Sequence, residues 1–386
     1  MENLYFTQEH QALRAMVKKF TEKEVKPRAA EADRSHKLDP ALFRMAAELG
    51  LPGTSHAEEW GGSDLGQLGY ITVLEELARG CSSFAVTMAV HMGIGLLGLQ
   101  MVGTPEQKEK YYRPCVLGEK ISACALTEPD AGSDLAAMKT RAVPDGEHYV
   151  LNGTKRFITN GSFADVITVF AVTDPTAGPR QGITAFIVEK GMPGFQVAKV
   201  EDKMGIRASE TAELVFEDVR VPRGNILGKE GEGFKLAMQV LEAGGRVSLA
   251  AMCLGAAKEL VDMSVKYAGQ RVQFKQKINQ FQGIQFMLAE MTSLTYAMES
   301  MVYRTAWMMD QGLNVMREAP VCKLFSSEAL NNIAALAMQI HGGVGFTTEF
   351  PVERFYRDAR INPIYEGTSE IQKIVIAKNL IATGAF

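Results

Sequence analysis

Residues 364–372, Ile-Tyr-Glu-Gly-Thr-Ser-Glu-Ile-Gln, place the carboxylate of Glu366 between an aromatic residue and a glycine. Gly367 permits a tight backbone turn beside that carboxylate. Ser369 and Gln372 have the spacing of a capping box, which predicts a helix start. A glutamate on such a loop would be shielded by apolar neighbours, and desolvation would raise its pKa as a general base requires. The alternative interpretation is a solvated loop glutamate.

Two further stretches could bind a ligand. Residues 125–134, Ala-Leu-Thr-Glu-Pro-Asp-Ala-Gly-Ser-Asp, follow a predicted strand and carry hydroxyls and backbone N–H groups. Such a loop can hydrogen-bond a planar heterocycle or cradle a phosphate, although an ordinary turn is equally compatible with it. Residues 156–161, Arg-Phe-Ile-Thr-Asn-Gly, end another strand with an aromatic ring and a hydroxyl. These side chains could hold a ring, or they could be core packing.

Other motifs are interpreted as structural. Residues 93–98 match the GxGxxG pattern, but their flanks indicate one continuous helix, whereas a dinucleotide site needs a strand before the glycines. Close helix packing is the preferred interpretation. The six histidines show no metal-ligand spacing, so no metal site is expected. His341, next to two glycines, is interpreted as structural.

Composition limits the class of protein. A chain of 386 residues has room for two or three domains, and a net charge of −4 offers no broad basic surface for nucleic acid. No membrane-spanning run and no secretory signal are expected. The five cysteines lack close pairing, which predicts reduced thiols in the cytoplasm or the mitochondrial matrix. Residues 2–6, Glu-Asn-Leu-Tyr-Phe, resemble part of a protease tag site but also suit a native start.

The pattern of elements predicts an α+β protein with three domains. Residues 1–120 have helical periodicity, residues 121–230 are rich in β-branched residues and turns, and residues 231–386 are helical again. Asn152-Gly153 between two apolar runs predicts a hairpin turn. No long helix separates the strands, which favours an antiparallel sheet or barrel over a parallel dinucleotide fold.

These motifs together resemble the acyl-CoA dehydrogenase family. The resemblance covers essentially the whole chain, and its motifs occur in family order: residues 126–134, 157–161, Arg271 with Phe274, residues 339–343 and residues 365–368. It implies a helical N-terminal domain, a central antiparallel β-barrel-like domain and a C-terminal four-helix bundle. It also implies FAD bound without a Rossmann unit, and usually a homotetramer.

The resemblance assigns roles by position. The residues implied to contact the FAD of their own subunit are Leu126, Thr127, Gly132, Ser133, Phe157, Ile158 and Thr159. Those implied to reach FAD bound mainly by a neighbouring subunit are Arg271, Phe274, Gln282, Gln339, Gly342 and Gly343, and Thr368 and Glu370 would touch FAD from the C-terminal loop. The implied substrate contacts are Ser133, Arg246, Tyr365 and Gly367.

The implied reaction is α,β-dehydrogenation of an acyl-CoA thioester to the trans-2-enoyl-CoA. Glu366 would take the α-proton, flavin N5 would accept the β-hydride, and the electrons would pass to an electron-transferring flavoprotein. Hydrogen bonds from the Glu366 N–H and a flavin ribityl hydroxyl would stabilise the developing enolate.

Three departures from the family pattern bear on this assignment. Some members place the base just before the position of Arg246, where this chain has Gly245, so Glu366 is the only family-type candidate for the base. Ala243 stands where straight-chain, medium-length enzymes have an aspartate, and Phe157 replaces a common tryptophan. The glycines before Arg246 leave room for a short or branched acyl group. Alternatives are a flavin oxidase of the same fold, acting on another substrate, or a non-catalytic acyl-CoA-binding protein.

Overall fold

The computed structural model describes residues 4–384, and it confirms the predicted α+β architecture of helices, a β-sheet and helices again. Met1 to Asn3 lie outside the described residues, so the tag-like stretch is described only from Leu4 onward. The helices before the sheet are α1 (Gln8–Phe20), α2 (Lys26–Ser35), α3 (Pro40–Glu48), α4 (Gly66–Gly80), α5 (Ser82–Met92), α6 (Leu97–Val102), α7 (Pro105–Gln107) and α8 (Arg113–Val116).

The helix predicted to run through the GxGxxG stretch is interrupted, so that prediction is wrong. The chain leaves helical geometry at Gly93 and resumes it at Leu97. A Cβ on Gly93 would lie 2.4 Å from the Tyr70 hydroxyl, and one on Gly95 would lie 2.4 Å from Ser122 Oγ. The glycines therefore allow a turn to pack against α4 and the start of the sheet, which agrees with a packing role.

Eight strands form the central sheet. They are β1 (Ser122–Ala125), β2 (Arg141–Asp145), β3 (His148–Thr159), β4 (Val166–Val172), β5 (Ile183–Glu189), β6 (Phe195–Val200), β7 (Thr211–Pro222) and β8 (Ile226–Leu227), with the four-residue α9 (Pro179–Gly182) before β5. The order is β6-β7-β3-β2-β4-β5-β8, and β1 pairs with β4. Most pairs are antiparallel as predicted, but β1 and β2 both run parallel to β4.

The hairpin predicted at Asn152-Gly153 is wrong, because both residues lie inside the continuous strand β3. The pairing with β7 shifts register there, as in a β-bulge, and Gly153 has φ 148°. Asn152 Nδ2 donates to Asp218 Oδ1 at 3.0 Å, and its Oδ1 accepts from the Asp218 N–H at 2.9 Å. The hydrogen bonds between Asn152 and Asp218 of β7 thus stabilise a bulge within the strand, where the sequence predicts a turn.

Long helices follow the sheet. They are α10 (Gly233–Gly244), α11 (Arg246–Gln270), α12 (Gln282–Asp310), α13 (Glu318–His341), α14 (Val352–Ala359) and α15 (Ser369–Thr383), with a small β9–β10 hairpin (Val272–Gln273 and Gln276–Lys277) between α11 and α12. Helix α15 is capped by Thr368, whose side chain accepts from the Ile371 N–H, rather than by Ser369 as predicted. Ile371, Ile374 and Ile381 do not form a buried face, since Ile381 is 83% exposed.

The N-terminal and C-terminal helices share one hydrophobic core. Glu75 of α4 is fully buried at their interface, 2.9 Å from Arg14 Nη1 and 2.7 Å from Lys258 Nζ. Burial alone would raise the pKa of Glu75, but the two cations outweigh it and hold the pKa at about 2. This ion cluster fixes α11 against the N-terminal helices, so the helical regions form a single scaffold around the sheet.

Two segments, Ser82–Val102 and Gly233–Gln270, are long and apolar enough to cross a membrane by composition, contrary to the expectation that no such run exists. In each, 78% of the most apolar window is buried within the protein, as in the core helices of globular proteins.

Candidate active site

Glu366 lies on the loop between α14 and α15, in a strained turn. Both Glu366 (φ 56°) and Gly367 (φ 84°) adopt the left-handed conformation, which is costly for a glutamate and ordinary for a glycine. Gln372 Nε2 donates to the Glu366 carbonyl at 3.0 Å and to the Gly367 carbonyl at 3.1 Å. Lys323 Nζ donates to the Gly367 carbonyl at 2.7 Å. Side chains from two helices therefore hold the turn.

The Glu366 carboxylate packs on the junction between α10 and α11. A Cβ on Gly245 would lie 2.2 Å from Glu366 Oε2, so only a glycine leaves room for the carboxylate in this position. Burial raises the pKa of Glu366, while the charges of Lys323 and Arg246 oppose the shift. The raised pKa is the property that the sequence predicted for a general base.

Arg246 begins α11 close to this carboxylate. Its Nη1 is buried without a hydrogen bond and lies 3.8 Å from Glu242 Oε1. Burial lowers the pKa of Arg246, and the charges of Glu242 and Glu366 act in the opposite direction. A guanidinium with an unused donor in this position is suited to a polar group of a ligand.

The two segments predicted to line a flavin lie side by side. The Arg156 N–H donates to the Thr127 carbonyl at 2.8 Å. The fully buried Lys155 donates to the Leu126 carbonyl at 3.0 Å and to Glu128 Oε1 at 2.8 Å. Burial alone would raise the pKa of Glu128, but Lys155 and two backbone donors hold it below its usual value. A buried ion pair thus joins the end of β3 to the loop after β1.

Phe157 faces outward at this place. It has φ 59° and is 56% exposed, and the Arg156 guanidinium lies 4.8 Å from its ring centroid. A left-handed conformation at a bulky residue is rare, and such strain concentrates at functional sites. Ile158, by contrast, is buried in the sheet core, so it can support a ligand site chiefly through its backbone.

The hydroxyl groups on the loop after β1 and at the end of β3 suit a cofactor that carries a heterocycle and phosphates. Within residues 4–384, the hydroxyls of Thr127, Ser133 and Thr159 enter no side-chain hydrogen bond that the structure records. Gly132 and Ser133 are exposed, and a Cβ on Gly132 would meet nothing within 4 Å. Free hydroxyls and an open loop are what FAD would need here.

Glu366 and the loop predicted to line a flavin both lie near the end of β1. Burial raises the pKa of the Cys124 thiol to about 12, and the charge of Glu366 contributes to this rise, so the carboxylate lies near this strand. Cys124 stands two residues before Leu126. The predicted substrate contacts Tyr365 and Gly367 flank Glu366, and Thr368 and Glu370 line an open groove on the outer side of the same loop.

The residues expected to reach a neighbouring subunit form a separate group. Arg271, Phe274, Gln282, Gln339, Gly342 and Gly343 are all exposed, and Phe274 is 89% exposed. Tyr267 near the end of α11 stacks on His341 at the end of α13, with ring centroids 4.4 Å apart, which brings the two chain segments together. His341 Nδ1 also contacts the Ala337 carbonyl at 2.8 Å, in keeping with a structural histidine.

Two residues that hold the turn were not predicted from the sequence, namely Lys323 and Gln372 in its observed role. Lys323 occupies the buried face of α13, with Ala319 four residues before it and Ser326 three residues after it. The helical spacing of this lysine from small core residues is the sequence signal that indicates its burial. Within residues 4–384, no group of three or more potential metal-ligating side chains is present.

Comparisons with known proteins identify the family and the fold of the chain. The N-terminal, middle and C-terminal domains of acyl-CoA dehydrogenases match residues 7–119, 123–219 and 231–381. The chain is 45% identical to acryloyl-CoA reductase (NADH) of Anaerotignum propionicum, over 97% of this chain and 95% of that protein. It is 44% identical to the short-chain specific acyl-CoA dehydrogenase of Clostridium acetobutylicum, over 96% and 97% respectively. Butyryl-CoA dehydrogenase from Megasphaera elsdenii superimposes with a TM-score of 0.96 at 41% identity, over 98% of this chain and all (100%) of that chain.

Proposed function

The chain belongs to the acyl-CoA dehydrogenase family, and from this premise we propose that Glu366 is the base of its reaction. The activity is the FAD-dependent α,β-dehydrogenation of acyl-CoA thioesters. The observation that carries the assignment of the base is its position. Glu366 is a carboxylate with a raised pKa, held against Gly245 and beside the flavin-lining loop.

The residues around Glu366 have distinct proposed roles. The Glu366 carboxylate accepts the α-proton of the bound thioester. The Glu366 N–H, which has no acceptor among the recorded hydrogen bonds of residues 4–384, donates to the thioester carbonyl and stabilises the developing negative charge. Arg246 and Ser133 bind polar parts of the CoA moiety, and Tyr365 and Gly367 contact the substrate beside the base.

The cofactor is held by this chain at two places. The residues proposed to line its own FAD are Leu126, Thr127, Gly132, Ser133, Phe157, Ile158, Thr159, Thr368 and Glu370. FAD, when bound, supplies the acceptor for the hydride that leaves the β-carbon. Arg271, Phe274, Gln282, Gln339, Gly342 and Gly343 are proposed to contact the FAD of a neighbouring subunit in a homotetramer.

A short acyl chain is the proposed substrate. Gly244 lies next to the glycine that touches the base, and a Cβ on Gly244 would lie 2.4 Å from Leu97 Cδ1. Leu97 therefore fills the space that was expected to remain open beside Gly244, which corrects the expectation of room for a branched acyl group and favours a short chain. The short-chain and butyryl-CoA specificities in the names of the similar proteins point in the same direction.

The electron-accepting partner and the compartment are proposed from the family resemblance. We propose that electrons leave through an electron-transferring flavoprotein. The cysteines Cys81, Cys115, Cys124, Cys253 and Cys322 are all free thiols, as expected for the cytoplasm or the mitochondrial matrix.

A second candidate is the same site working in the opposite direction. The similarity to an acryloyl-CoA reductase favours reduction of a short enoyl-CoA as an alternative physiological role. The chemistry at Glu366 would then be proton delivery to the α-carbon, because a general base returns its proton in the reverse reaction.

The test is the visible spectrum of the purified holoprotein, recorded without oxygen as acyl-CoAs of increasing length and branching are added. Rapid bleaching by butyryl-CoA, with slower bleaching by long and branched chains, is the expected result. A yellow protein that no acyl-CoA bleaches would contradict the thioester chemistry. Faster reoxidation of the reduced protein by acryloyl-CoA than reduction by propionyl-CoA would favour the reductase role.

A further inference from the structure

Lys323 is a buried cation that the reaction described above does not use. Its side chain is 0% exposed, and Gly367 O is the hydrogen-bond acceptor that the structure records for it within residues 4–384. Burial lowers the pKa of Lys323 to about 8, while Cys253 and Glu366 act to raise it. Burial of an ammonium group costs free energy unless the group is paired or hydrogen-bonded. A lysine that is retained in the core therefore indicates a specific role.

Gln372 approaches the same carbonyl from another helix. It is 1% exposed, and its Nε2 donates to both the Glu366 and the Gly367 carbonyls. The Gly367 carbonyl therefore accepts from Lys323 of α13 and from Gln372 of α15 at once. These donors hold a backbone whose left-handed conformation at Glu366 costs free energy, so the turn needs such restraint to persist.

Lys323 also contributes charge at the base. The charged groups that act on Glu366 are Lys323 of α13 and Arg246 of α11. The other titratable groups that sense its charge are Tyr70 of α4, Cys124 of β1 and Tyr365 of the same loop. Because the last three are neutral at physiological pH, the two cations alone favour the ionised, proton-accepting form of Glu366.

We propose that Lys323 and Gln372 are positioning residues of the dehydrogenation, which fix the Glu366–Gly367 turn through a shared carbonyl, and that Lys323 also keeps the base ionised. This inference rests on the proposed role of Glu366. Gln372 holds the turn by hydrogen bonds but carries no charge, whereas Lys323 holds the turn and also carries a positive charge. Substitutions of the two residues should therefore affect kcat alike but the pH dependence of kcat/KM differently.

The experiment compares K323M, Q372M and K373M as FAD-loaded proteins. Lys373 is a matched control, because it lies on α15 next to Gln372 but is 59% exposed, 3.7 Å from Glu328. FAD content and melting temperature are measured first, to identify folded holoprotein. Then kcat, KM and the pH dependence of kcat/KM are measured with the best acyl-CoA.

The expected result is a fall in kcat of about 10²-fold in K323M and in Q372M, because a misplaced base loses its near-attack geometry. KM should change little in either variant. In K323M alone, the acidic limb of the kcat/KM profile should move to higher pH, since a positive charge near the base has been removed. K373M should match the wild type in all of these quantities.

A purely structural role predicts a different pattern. Folded, FAD-loaded K323M with kcat within about twofold of the wild type and an unmoved acidic limb would overturn the charge and positioning role of Lys323, because a displaced or differently charged base cannot leave the rate unchanged. If K323M does not fold, Q372M decides the positioning claim in the same way. An active E366Q variant would instead show that Glu366 is not the base. That result would contradict the proposed function, whereas wild-type behaviour of K323M would contradict only the positioning role.

Discussion

At the scale of single residues, Glu366 is placed where it costs stability. Burial raises its pKa above the unfolded value, so its contribution to stability is fully present below the unfolded pKa and is lost as the pH rises through the folded pKa. At neutral pH the ionised carboxylate therefore opposes folding. A loss of stability of this kind is what the proposed role of Glu366 as a base entails.

This reasoning predicts the effect of E366Q on stability. The amide has a similar shape and no charge, so the variant should melt at a higher temperature than the wild type at pH 8. The difference should shrink as the pH is lowered below the ordinary glutamate pKa, where the wild-type carboxyl is protonated too. Calorimetry of the FAD-loaded proteins across this pH range measures it. A lower melting temperature for E366Q at pH 8 would contradict a desolvated, ionised Glu366.

Residue identity alone located Glu366 but not the side chains that hold it. The Tyr-Glu-Gly-Thr stretch is local, and so its turn was predictable. Lys323 lies 44 positions before Gly367, on another helix, so its bond to the Gly367 carbonyl depends on tertiary packing. The spacing of Gln372 predicts a capping box, whereas its side-chain amide donates to the carbonyls of the Glu366–Gly367 turn.

At the scale of elements, the junction of α10 and α11 determines where the carboxylate can sit. Gly245 lies in the helical region of φ and ψ, so an alanine there would not strain the backbone. Its Cβ would, however, lie 2.2 Å from Glu366 Oε2. The junction therefore restricts the position of the Glu366 carboxylate through steric contact and not through backbone conformation.

We predict that G245A folds and retains FAD but loses activity by about 10- to 100-fold, because the carboxylate is displaced by roughly an ångström. Steady-state kinetics and flavin content measure the two properties separately. G224A is the matched control, since a Cβ on Gly224 would meet nothing within 4 Å. Wild-type kcat in G245A would show that Glu366 does not rest against this junction during turnover.

The strand β3 and the loop after β1 are joined by the buried Lys155–Glu128 pair, 2.8 Å apart. K155M should lower the free energy of unfolding by about 3–5 kcal/mol, because it leaves Glu128 buried without its cation. FAD should also be lost more readily. Urea titration and flavin release measure these effects. The double variant K155M/E128Q should recover part of the stability, and failure to recover any would contradict the pairing.

A surface ion pair provides the control for that experiment. Arg34 and Glu31 are 2.5 Å apart, but both are largely exposed, so R34M should cost less than about 1 kcal/mol.

The location of helical and β regions was more predictable than the pairing of elements. Helical periodicity predicts helices in residues 231–386, where α10 to α13 lie. The Asn152-Gly153 bulge did not follow, because the same dipeptide suits a turn or a bulge and only the partner strand decides between them. The break at Gly93 depended in the same way on contacts with Tyr70 and Ser122, which are distant in sequence.

At the scale of the whole molecule, large apolar side chains remain exposed on the helical half of the chain. Phe286 and Tyr296 of α12 are 68% and 73% exposed, and Phe346 after α13 is 81% exposed. Exposed aromatic residues of this kind mark protein–protein interfaces. Phe286 lies one helical turn after Gln282, and Phe346 lies three residues after Gly343, so two of the three are close to residues proposed to reach a second FAD. This placement is consistent with the proposed homotetramer.

We predict that light scattering after gel filtration will give about four times the chain mass of 42.2 kDa. The double variant F286E/Y296E should reduce this mass and weaken FAD retention, because the neighbouring subunit's contacts are lost with the interface. V197E, at an exposed apolar position of β6, should change neither property. A monomeric wild-type protein with tightly bound FAD would contradict the assignment of a shared cofactor site.

The role of Glu366 as the base is tested by the rate of flavin bleaching by butyryl-CoA in anaerobic rapid mixing, compared between the wild type and E366Q. E119Q, which changes an exposed surface glutamate, is the control. We expect that E366Q binds FAD and butyryl-CoA but bleaches about 10²–10⁴-fold more slowly, because proton abstraction by the carboxylate is lost. Bleaching by E366Q within about tenfold of the wild-type rate would show that another group takes the α-proton.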